Sequence, residues 1–256
     1  MRRTLLERLV ARTNPRWIES FAPVPYEIGP GLWSVDRLLE IPLGPRLGTR
    51  TLLVELPEGG VLAWSPVPLG GALRELVETR GGARFLVAPN SFHYLGIGDW
   101  QRAFPSAESW LAPGLLARVA GAAGRELHEG AATPFAALLP HCVLDCGRGV
   151  SEVAFLHAPS RTLLLVDSAF NVRHVARRRD RLVWAAAGVL GRFGPTPTAR
   201  AFLLRDRAAV GAWIERLCAW PFERVVMAHG EPLGAGPSEL RAAFVRYLDD
   251  ASRRAA

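Results

Sequence analysis

The sequence predicts an α/β fold of two mixed β-sheets packed together with helices outside, a four-layer αββα sandwich. Short apolar, β-rich runs alternate with segments of helical periodicity along the 256 residues. This alternation occurs in two similar halves, and the hydrophobic content of 49% is enough for a sizeable core. The pattern alone fits several α/β arrangements, of which the αββα sandwich is one.

The first half begins with strands and passes into a strand–helix–strand unit. A Pro57-Glu-Gly-Gly turn separates two of the strands and indicates a hairpin or meander. The predicted strands are residues 32–35, 37–41, 51–56, 61–64 and 85–88. The predicted helices are residues 69–79, ended by Gly81 and Gly82, residues 99–104, and a weaker, Gly-interrupted segment at 115–127.

The second half repeats the alternation. A short Ala158-Pro-Ser-Arg link between two apolar runs predicts another hairpin. The predicted strands are residues 143–145, 153–157, 162–167 and 223–228, and the predicted helices are 181–190, 207–219 and 238–252. Since no repeat, long linker or low-complexity tract occurs, we expect one domain over residues 1–256, with residues 1–30 as an N-terminal extension.

That extension carries a short amphipathic pattern. Leu5, Leu6, Leu9 and Val10 recur at helical spacing, which favours a helix packed on the protein body over one lying on a membrane surface. The chain has no 18-residue uncharged apolar run and no signal-peptide pattern, so we expect no membrane partner. Three cysteines, Cys142, Cys146 and Cys218, form no even disulfide framework and predict a reducing, cytoplasmic location.

The net charge is +7, and every basic residue is an arginine. The densest cluster comprises Arg173, Arg177, Arg178, Arg179 and Arg181. It is either a solvated helical face or a surface for an anionic ligand or partner. Without an aromatic-interleaved RNA motif, a zinc finger or a helix-turn-helix, the sequence argues against a nucleic-acid partner.

Four side chains that can bind a metal each follow a strand-like apolar run. They are His93, His157, Asp167 and His229. Ligands collect where buried strands end, because a sheet can aim them at one point. Imidazoles with one carboxylate are a usual ligand set for zinc or non-haem iron. The sequence therefore predicts a shared metal site, although each histidine in isolation is more often a hydrogen-bonded structural residue.

These residues and their surroundings resemble the metallo-β-lactamase superfamily. Its His-x-His-x-Asp-His segment corresponds to Ala88-Pro-Asn-Ser-Phe-His93, followed by Leu95-Gly96. Its second segment, a strand-end histidine followed by the metal-bridging aspartate, corresponds to His157 through Asp167. Its last histidine, commonly followed by glycine, corresponds to His229-Gly230. The resemblance covers roughly residues 30–250 and implies a metallo-β-lactamase-like αββα sandwich.

The departures from the family pattern change the expected metal site. Ala88, Asn90 and Phe92 stand where the family has His, His and Asp. The resemblance then implies a degenerate branch whose two-metal site is reduced to one zinc or iron ion. Its expected ligands are His93, Asp167 and His229. His157 is expected as a fourth ligand or a group that orients water, and Asn90 as an oxygen ligand or a hydrogen-bonding group.

Two functions follow. The first is a mononuclear metal-dependent hydrolase of a small-molecule ester, lactone, amide or phosphoester. The second is a metal-free, non-catalytic binding scaffold that keeps the fold. In the second, the Phe92 ring fills the volume left by the missing carboxylate.

Overall fold

A computed structural model describes residues 16–17, 24–41, 44–117, 123–147 and 149–249. Backbone contacts divide the chain into two compact units, Met1–Leu127 and His128–Ala256. The predicted N-terminal helix around Leu5–Val10 lies outside the described residues, as do the last three residues of the predicted helix 238–252. The expectation of one domain over residues 1–256 stays a prediction.

The described part of the first unit contains a single sheet and two helices. Its strands are β1 (Arg16–Trp17), β2 (Tyr26–Gly29), β3 (Leu32–Glu40), β4 (Arg46–Glu55), β5 (Val61–Trp64), β6 (Ala83–Ala88), β7 (Glu108–Leu111) and β8 (Arg125–Glu126). Its helices are α1 (Gly71–Glu78) and α2 (Ile97–Ala103). The strand order is β1-β3-β4-β5-β6-β7-β8, with β2 also paired to β3. Pairing is antiparallel from β1 to β5 and parallel from β5 to β8.

The predicted strand–helix–strand unit is confirmed as β5–α1–β6. Helix α1 buries Leu73 and Val77, and β5 and β6 pair in parallel on either side of this crossover in the sequence. Two predicted strands, 32–35 and 37–41, are a single strand, β3. The charge at Asp36 does not end that strand, because Arg50 lies opposite it on β4 and forms an ion pair at 2.8 Å.

The predicted helix over residues 115–127 is wrong at its carboxyl end. Residues 125–126 form β8, which pairs in parallel with β7. Gly124 explains the difference, since it has a φ of +148° and a Cβ there would lie 2.4 Å from the Ser109 carbonyl oxygen of β7. Only a glycine lets the chain come this close to β7.

The second unit contains a five-stranded sheet, a two-stranded ribbon and four helices among its described residues. The strands are β9 (His141–Asp145), β10 (Ser151–His157), β11 (Thr162–Leu165), β12 (Phe170–Asn171), β13 (Phe193–Gly194), β14 (Arg224–Met227) and β15 (Leu233–Gly234). The helices are α3 (Arg178–Ala186), α4 (Pro197–Phe202), α5 (Arg207–Cys218) and α6 (Pro237–Asp249). The larger sheet has the order β15-β14-β11-β10-β9, and β12 pairs with β13.

The register of this sheet decides which side chains share an edge. Strands β10 and β11 form the predicted antiparallel hairpin, in which His157 faces Thr162. Strands β11 and β14 are parallel, with Leu165 beside Met227. The residues that follow β11 and β14 therefore emerge at the same edge, whereas the end of β10 lies at the opposite edge.

The core of the second unit lies between this sheet and helices α5 and α6. Trp213 of α5 is fully buried, and its indole nitrogen donates to the Cys142 carbonyl oxygen of β9 at 3.2 Å. Helix α4 was not predicted, although Thr196 and Pro197 are a helix-start signal: the Thr196 hydroxyl accepts from the Ala199 N–H at 3.0 Å.

The three cysteines predicted to be unpaired are free thiols. Within the described residues, none of the helices has both the length and the apolar composition required to cross a bilayer.

Candidate metal-binding residues

Asp167 and His229 lie side by side at one edge of the second unit's sheet. Asp167 follows β11 and His229 follows β14, and the parallel pairing of these strands brings the two residues together. Asp167 Oδ1 lies 3.1 Å from His229 Nε2. The His229 side chain is 4% exposed and the Asp167 side chain 18% exposed. This pair offers a carboxylate oxygen and an imidazole nitrogen in a largely desolvated position.

A buried carboxylate, Glu152, holds the loop that carries Asp167. Glu152 lies at the start of β10 and is fully buried. Its Oε2 accepts from the N–H groups of Asp167 at 2.9 Å and Ser168 at 3.0 Å, and its Oε1 accepts from the Val166 N–H at 3.0 Å and the Ser168 hydroxyl at 2.5 Å. Burial raises the pKa of Glu152, and the nearby Asp167 charge adds to this, while the hydrogen bonds from the Ser168 hydroxyl and from the Val166 and Asp167 N–H groups oppose it.

The ring of His229 is held by its neighbours in the same unit. Phe170 stacks on it with ring centroids 4.9 Å apart and planes inclined by 25°. The next residue, Gly230, forms a parallel bridge with Asn171. Gly230 has a φ of +93°, and a Cβ there would lie 2.2 Å from the Asn171 carbonyl oxygen. Glycine is thus required for β12 to lie directly beside the His229 backbone.

His93 belongs to the first unit, where it follows β6 by a short loop. Its Nδ1 lies 2.8 Å from the Ser65 hydroxyl oxygen. When Nδ1 donates its hydrogen to Ser65, Nε2 carries the lone pair that a metal requires, the arrangement usual for metal-binding histidines. Ser65 itself is buried and has a φ of +54°, a strained conformation for a residue other than glycine. The strained backbone at Ser65 therefore holds the Ser65 side chain against the His93 ring.

Asn90, expected as an oxygen ligand or a hydrogen-bonding group, has its side-chain oxygen engaged within its own loop. Asn90 is fully buried, and its Oδ1 accepts from the N–H groups of Phe92 at 2.9 Å and His93 at 2.8 Å. Both lone pairs of that oxygen are thus used by the backbone. Asn90 shapes the turn that presents His93, which is the usual behaviour of asparagine in loops.

His157, expected as a fourth ligand or a group that orients water, lies at the other end of β11 from Asp167. It faces Thr162 at the start of β11, whereas Asp167 follows the end of that strand. Because β10 and β11 are antiparallel, His157 at the end of β10 lies at the opposite edge of the sheet from Asp167. His157 is 1% exposed, its Nδ1 lies 2.6 Å from the Ser160 hydroxyl, and burial lowers its pKa to about 4. His157 is therefore a buried, hydrogen-bonded histidine.

One residue that holds the candidate ligands was not predicted from the sequence. Glu152 is a charged residue at the head of an otherwise apolar strand, and that interruption was a usable signal for a buried polar role. Ser65 stands at a strand end in Trp64-Ser65-Pro66, which indicates a place in the cleft, but its positive φ and its contact with His93 are not visible in the sequence.

The structure is similar to those of known metallo-β-lactamases. FIM-1 from Pseudomonas aeruginosa, in its mono-zinc form, matches with a TM-score of 0.59 and 12% identity, covering 91% of this chain and 97% of that chain. DIM-1, in a crystal exposed to ceftazidime, matches with a TM-score of 0.58 and 12% identity over 88% of this chain and 97% of that chain. The enzyme from Pontibacter korlensis matches with a TM-score of 0.58 and 13% identity over 89% and 99%.

No protein-family model matches the chain, and no curated protein matches its sequence. The similarity is therefore one of fold. The predicted metallo-β-lactamase-like α/β sandwich is confirmed.

Proposed function

We propose that the protein is a hydrolase that uses one metal ion, bound by Asp167 and His229 of the second unit and by His93 of the first. The observation that carries the proposal is the 3.1 Å separation of Asp167 Oδ1 and His229 Nε2. Ligand atoms at about 2.0–2.2 Å from a tetrahedral zinc ion lie about 3.3–3.6 Å apart. The separation in this pair is a few tenths of an ångström shorter, so a small adjustment would let both atoms bind one ion.

His93 enters the proposal from the sequence pattern and the family resemblance. Its hydrogen bond to Ser65 supports this role, because a metal-binding histidine commonly holds a polar partner at its other ring nitrogen. Two imidazoles and one carboxylate suit zinc or iron(II) and leave positions for water and substrate. The mono-zinc form of FIM-1 is a precedent in this fold for one metal ion.

Such a metal supplies an acidified water and a polarised substrate oxygen. Hydrolysis joins the water oxygen to the carbonyl carbon or phosphorus, breaks the bond to the leaving group, and passes a proton to that group. The chain's own residues keep the ligands in place. Glu152 fixes the Asp167 loop, Ser65 orients the His93 ring, and Phe170 covers one face of His229. An ester, lactone, amide or phosphoester is the expected class of small-molecule substrate.

The decisive experiment is elemental analysis of protein purified without chelator. We expect close to one equivalent of zinc or iron, and loss of that metal in His229→Ala and Asp167→Ala. His128→Ala is the matched control, since His128 is an exposed histidine outside the proposed set. His157→Asn should also keep the metal, because His157 lies at the opposite edge of the sheet. Absence of metal from the wild-type protein even after reconstitution would refute the proposal.

A metal-free binding scaffold is the second candidate. The observation that favours it is the same 3.1 Å contact, which is also a good hydrogen bond between an imidazole N–H and a carboxylate. Chelator separates the two functions, because a metal bound only to the native state raises its stability. The hydrolase is expected to lose several degrees of melting temperature in chelator, whereas the scaffold is expected to melt at an unchanged temperature.

A further inference from the structure

Helix α1 begins without a side chain that caps it. Its eight residues run from Gly71 to Glu78, and the residue before them, Gly70, has no side chain to offer the first-turn N–H groups. The first hydrogen bond within the helix runs from the Arg74 N–H to the Gly70 carbonyl oxygen at 2.9 Å. The N–H groups of residues 71–73 precede this bond, and no acidic residue stands in the first turn. The partial positive charge at the start of α1 is therefore not balanced by its own first turn.

An arginine from the sheet lies at this same helix end. Nη2 of Arg37, on β3, donates to the Pro68 carbonyl oxygen at 3.4 Å. It also lies so close to Gly70 that a Cβ there would overlap it, and a larger residue at position 70 would displace the guanidinium. A cation beside the positive end of a helix is electrostatically unfavourable. An anion held between the two removes this repulsion, because it attracts both.

A buried threonine faces the segment that leads into α1. Thr49 lies opposite Arg37 in the β3–β4 pairing, so the two side chains share one face of the sheet. Thr51, two residues along β4, is on that face too. Its hydroxyl donates to the Ser65 carbonyl oxygen and accepts from the Val67 N–H, each at 2.8 Å. This face of the sheet therefore carries the segment between β5 and α1.

The Thr49 hydroxyl lacks a partner on this face. Thr49 is 7% exposed, and within the part of the chain that the structure describes its Oγ1 makes no hydrogen bond. A buried hydroxyl without a partner destabilises the fold, and a ligand that bonds to it recovers that loss. The hydroxyl, the Arg37 guanidinium and the N–H groups of residues 71–73 are all hydrogen-bond donors, so one acceptor with several oxygens suits them together.

The acidic side chains of the neighbouring elements are engaged elsewhere. Four of them, on β3, α1 and α2, each pair with an arginine other than Arg37: Asp36, Glu40, Glu78 and Asp99. Asp36 also points to the other face of the sheet from Arg37, since successive side chains of a strand alternate. Glu75 is exposed and stands five residues beyond Gly70, past the first turn of α1. None of these carboxylates caps the helix.

We propose that the start of α1, Arg37 and the Thr49 hydroxyl form a binding site for a phosphate-type anion, either inorganic phosphate or the phosphate group of a small molecule. Helix N-termini bind phosphate through their N–H groups, and Arg37 adds charge-assisted hydrogen bonds. A phosphate offers three or more acceptor oxygens to these donors, whereas a carboxylate offers two. Gly71 is exposed, and a Cβ there meets no atom within 4 Å, so the anion reaches the helix end from solvent. The site lies in the first unit and does not depend on the proposed hydrolase.

Titration calorimetry with inorganic phosphate tests the proposal. Because phosphate also binds metal ions, the protein is stripped with chelator and dialysed free of it, and chloride keeps the ionic strength constant. We expect saturable binding to wild type, about tenfold weaker binding to Arg37→Gln, and an intermediate affinity in Arg37→Lys, which keeps the charge but not the planar fork. Arg84→Gln is the matched control, since Arg84 pairs with Glu58 at the start of β6, beyond the carboxyl end of α1. Its affinity should stay within about twofold of wild type.

Two further variants test the site without removing Arg37. Thr49→Val keeps the shape of the side chain and deletes the hydroxyl. Without phosphate it should melt at the wild-type temperature or higher, yet bind phosphate about threefold more weakly. Gly71→Asp gives α1 a carboxylate of its own in the first turn, so it should raise the melting temperature without phosphate and weaken phosphate binding about tenfold or more. Gly211→Asp adds the same charge to α5, where a Cβ also meets no atom within 4 Å, and should bind phosphate as wild type does.

Phenyl phosphate, titrated in the same way, distinguishes the two sources of the anion. Tighter binding than that of inorganic phosphate assigns the site to the phosphate group of a larger molecule, and weaker binding assigns it to free phosphate. Failure of both anions to bind wild type would overturn the inference. So would an unchanged dissociation constant in Arg37→Gln, Thr49→Val or Gly71→Asp, or an equal weakening in the two control variants. None of these results bears on the hydrolase, which its metal content tests.

Discussion

Replacing Glu152 by glutamine tests whether this carboxylate holds the Asp167 loop. Glutamine keeps the length and shape of the side chain, but one of its two ends becomes an N–H₂ donor. That end then faces backbone N–H groups that also donate. With Oε2 as the altered end, the Asp167 and Ser168 N–H groups lose their acceptor. Each buried donor left without a partner lowers the free energy of unfolding by about 1–3 kcal/mol, while removal of the buried charge offsets part of this loss.

The expected net loss is about 3 kcal/mol in the free energy of unfolding, or roughly 6–12 °C in melting temperature for a chain of this size. Ser168→Ala removes only the hydroxyl hydrogen bond to Oε1 and should cost about 1 kcal/mol. Glu75→Gln makes the same chemical change on the exposed face of α1 and should leave the melting temperature unchanged. The measurement is thermal and urea unfolding of all three variants in chelator. A Glu152→Gln protein as stable as Glu75→Gln would refute the reasoning.

Two further predictions concern His157 and Gly230. Since burial holds the pKa of His157 at about 4 in the folded state, below its usual 6.5, the unfolded chain takes up a proton in that interval that the folded chain excludes. The free energy of unfolding should therefore fall by up to about 3 kcal/mol as the pH drops from 6.5 to 4. His157→Asn, compared with wild type in chelator, should show a shallower fall. Parallel plots of unfolding free energy against pH for the two proteins would contradict this. Gly230→Ala should lower the free energy of unfolding by about 3 kcal/mol or more and reduce metal content, because its Cβ would overlap the Asn171 carbonyl. Gly211→Ala in α5 is the control: its Cβ meets no atom within 4 Å, so this variant should be neutral or stabilising. Unfolding curves that rank these two glycine variants the other way would be inconsistent with the close approach of β12 to His229.

Local patterns in the sequence predicted most of the elements and indicated several candidate site residues. The β10–β11 hairpin followed from two apolar runs and the short link between them, and α1 followed from Leu73 and Val77 at helical spacing. Asp167 and His229 were found because each directly follows a buried strand. The carboxyl end of the predicted helix 115–127 was wrong because the apolar spacing does not reveal the approach of Gly124 to Ser109, which depends on a neighbouring strand.

The amino-acid order by itself determined which side chains stand at the ends of strands, because alternation and turn chemistry act over a few residues. It did not determine which strand ends share an edge. That depends on strand direction: β11 and β14 run in parallel and bring Asp167 to His229, whereas β10 runs antiparallel to β11 and carries His157 to the other edge. The same pairing places Glu152 beneath the Asp167 loop, a contact between residues 15 apart that only the tertiary structure creates.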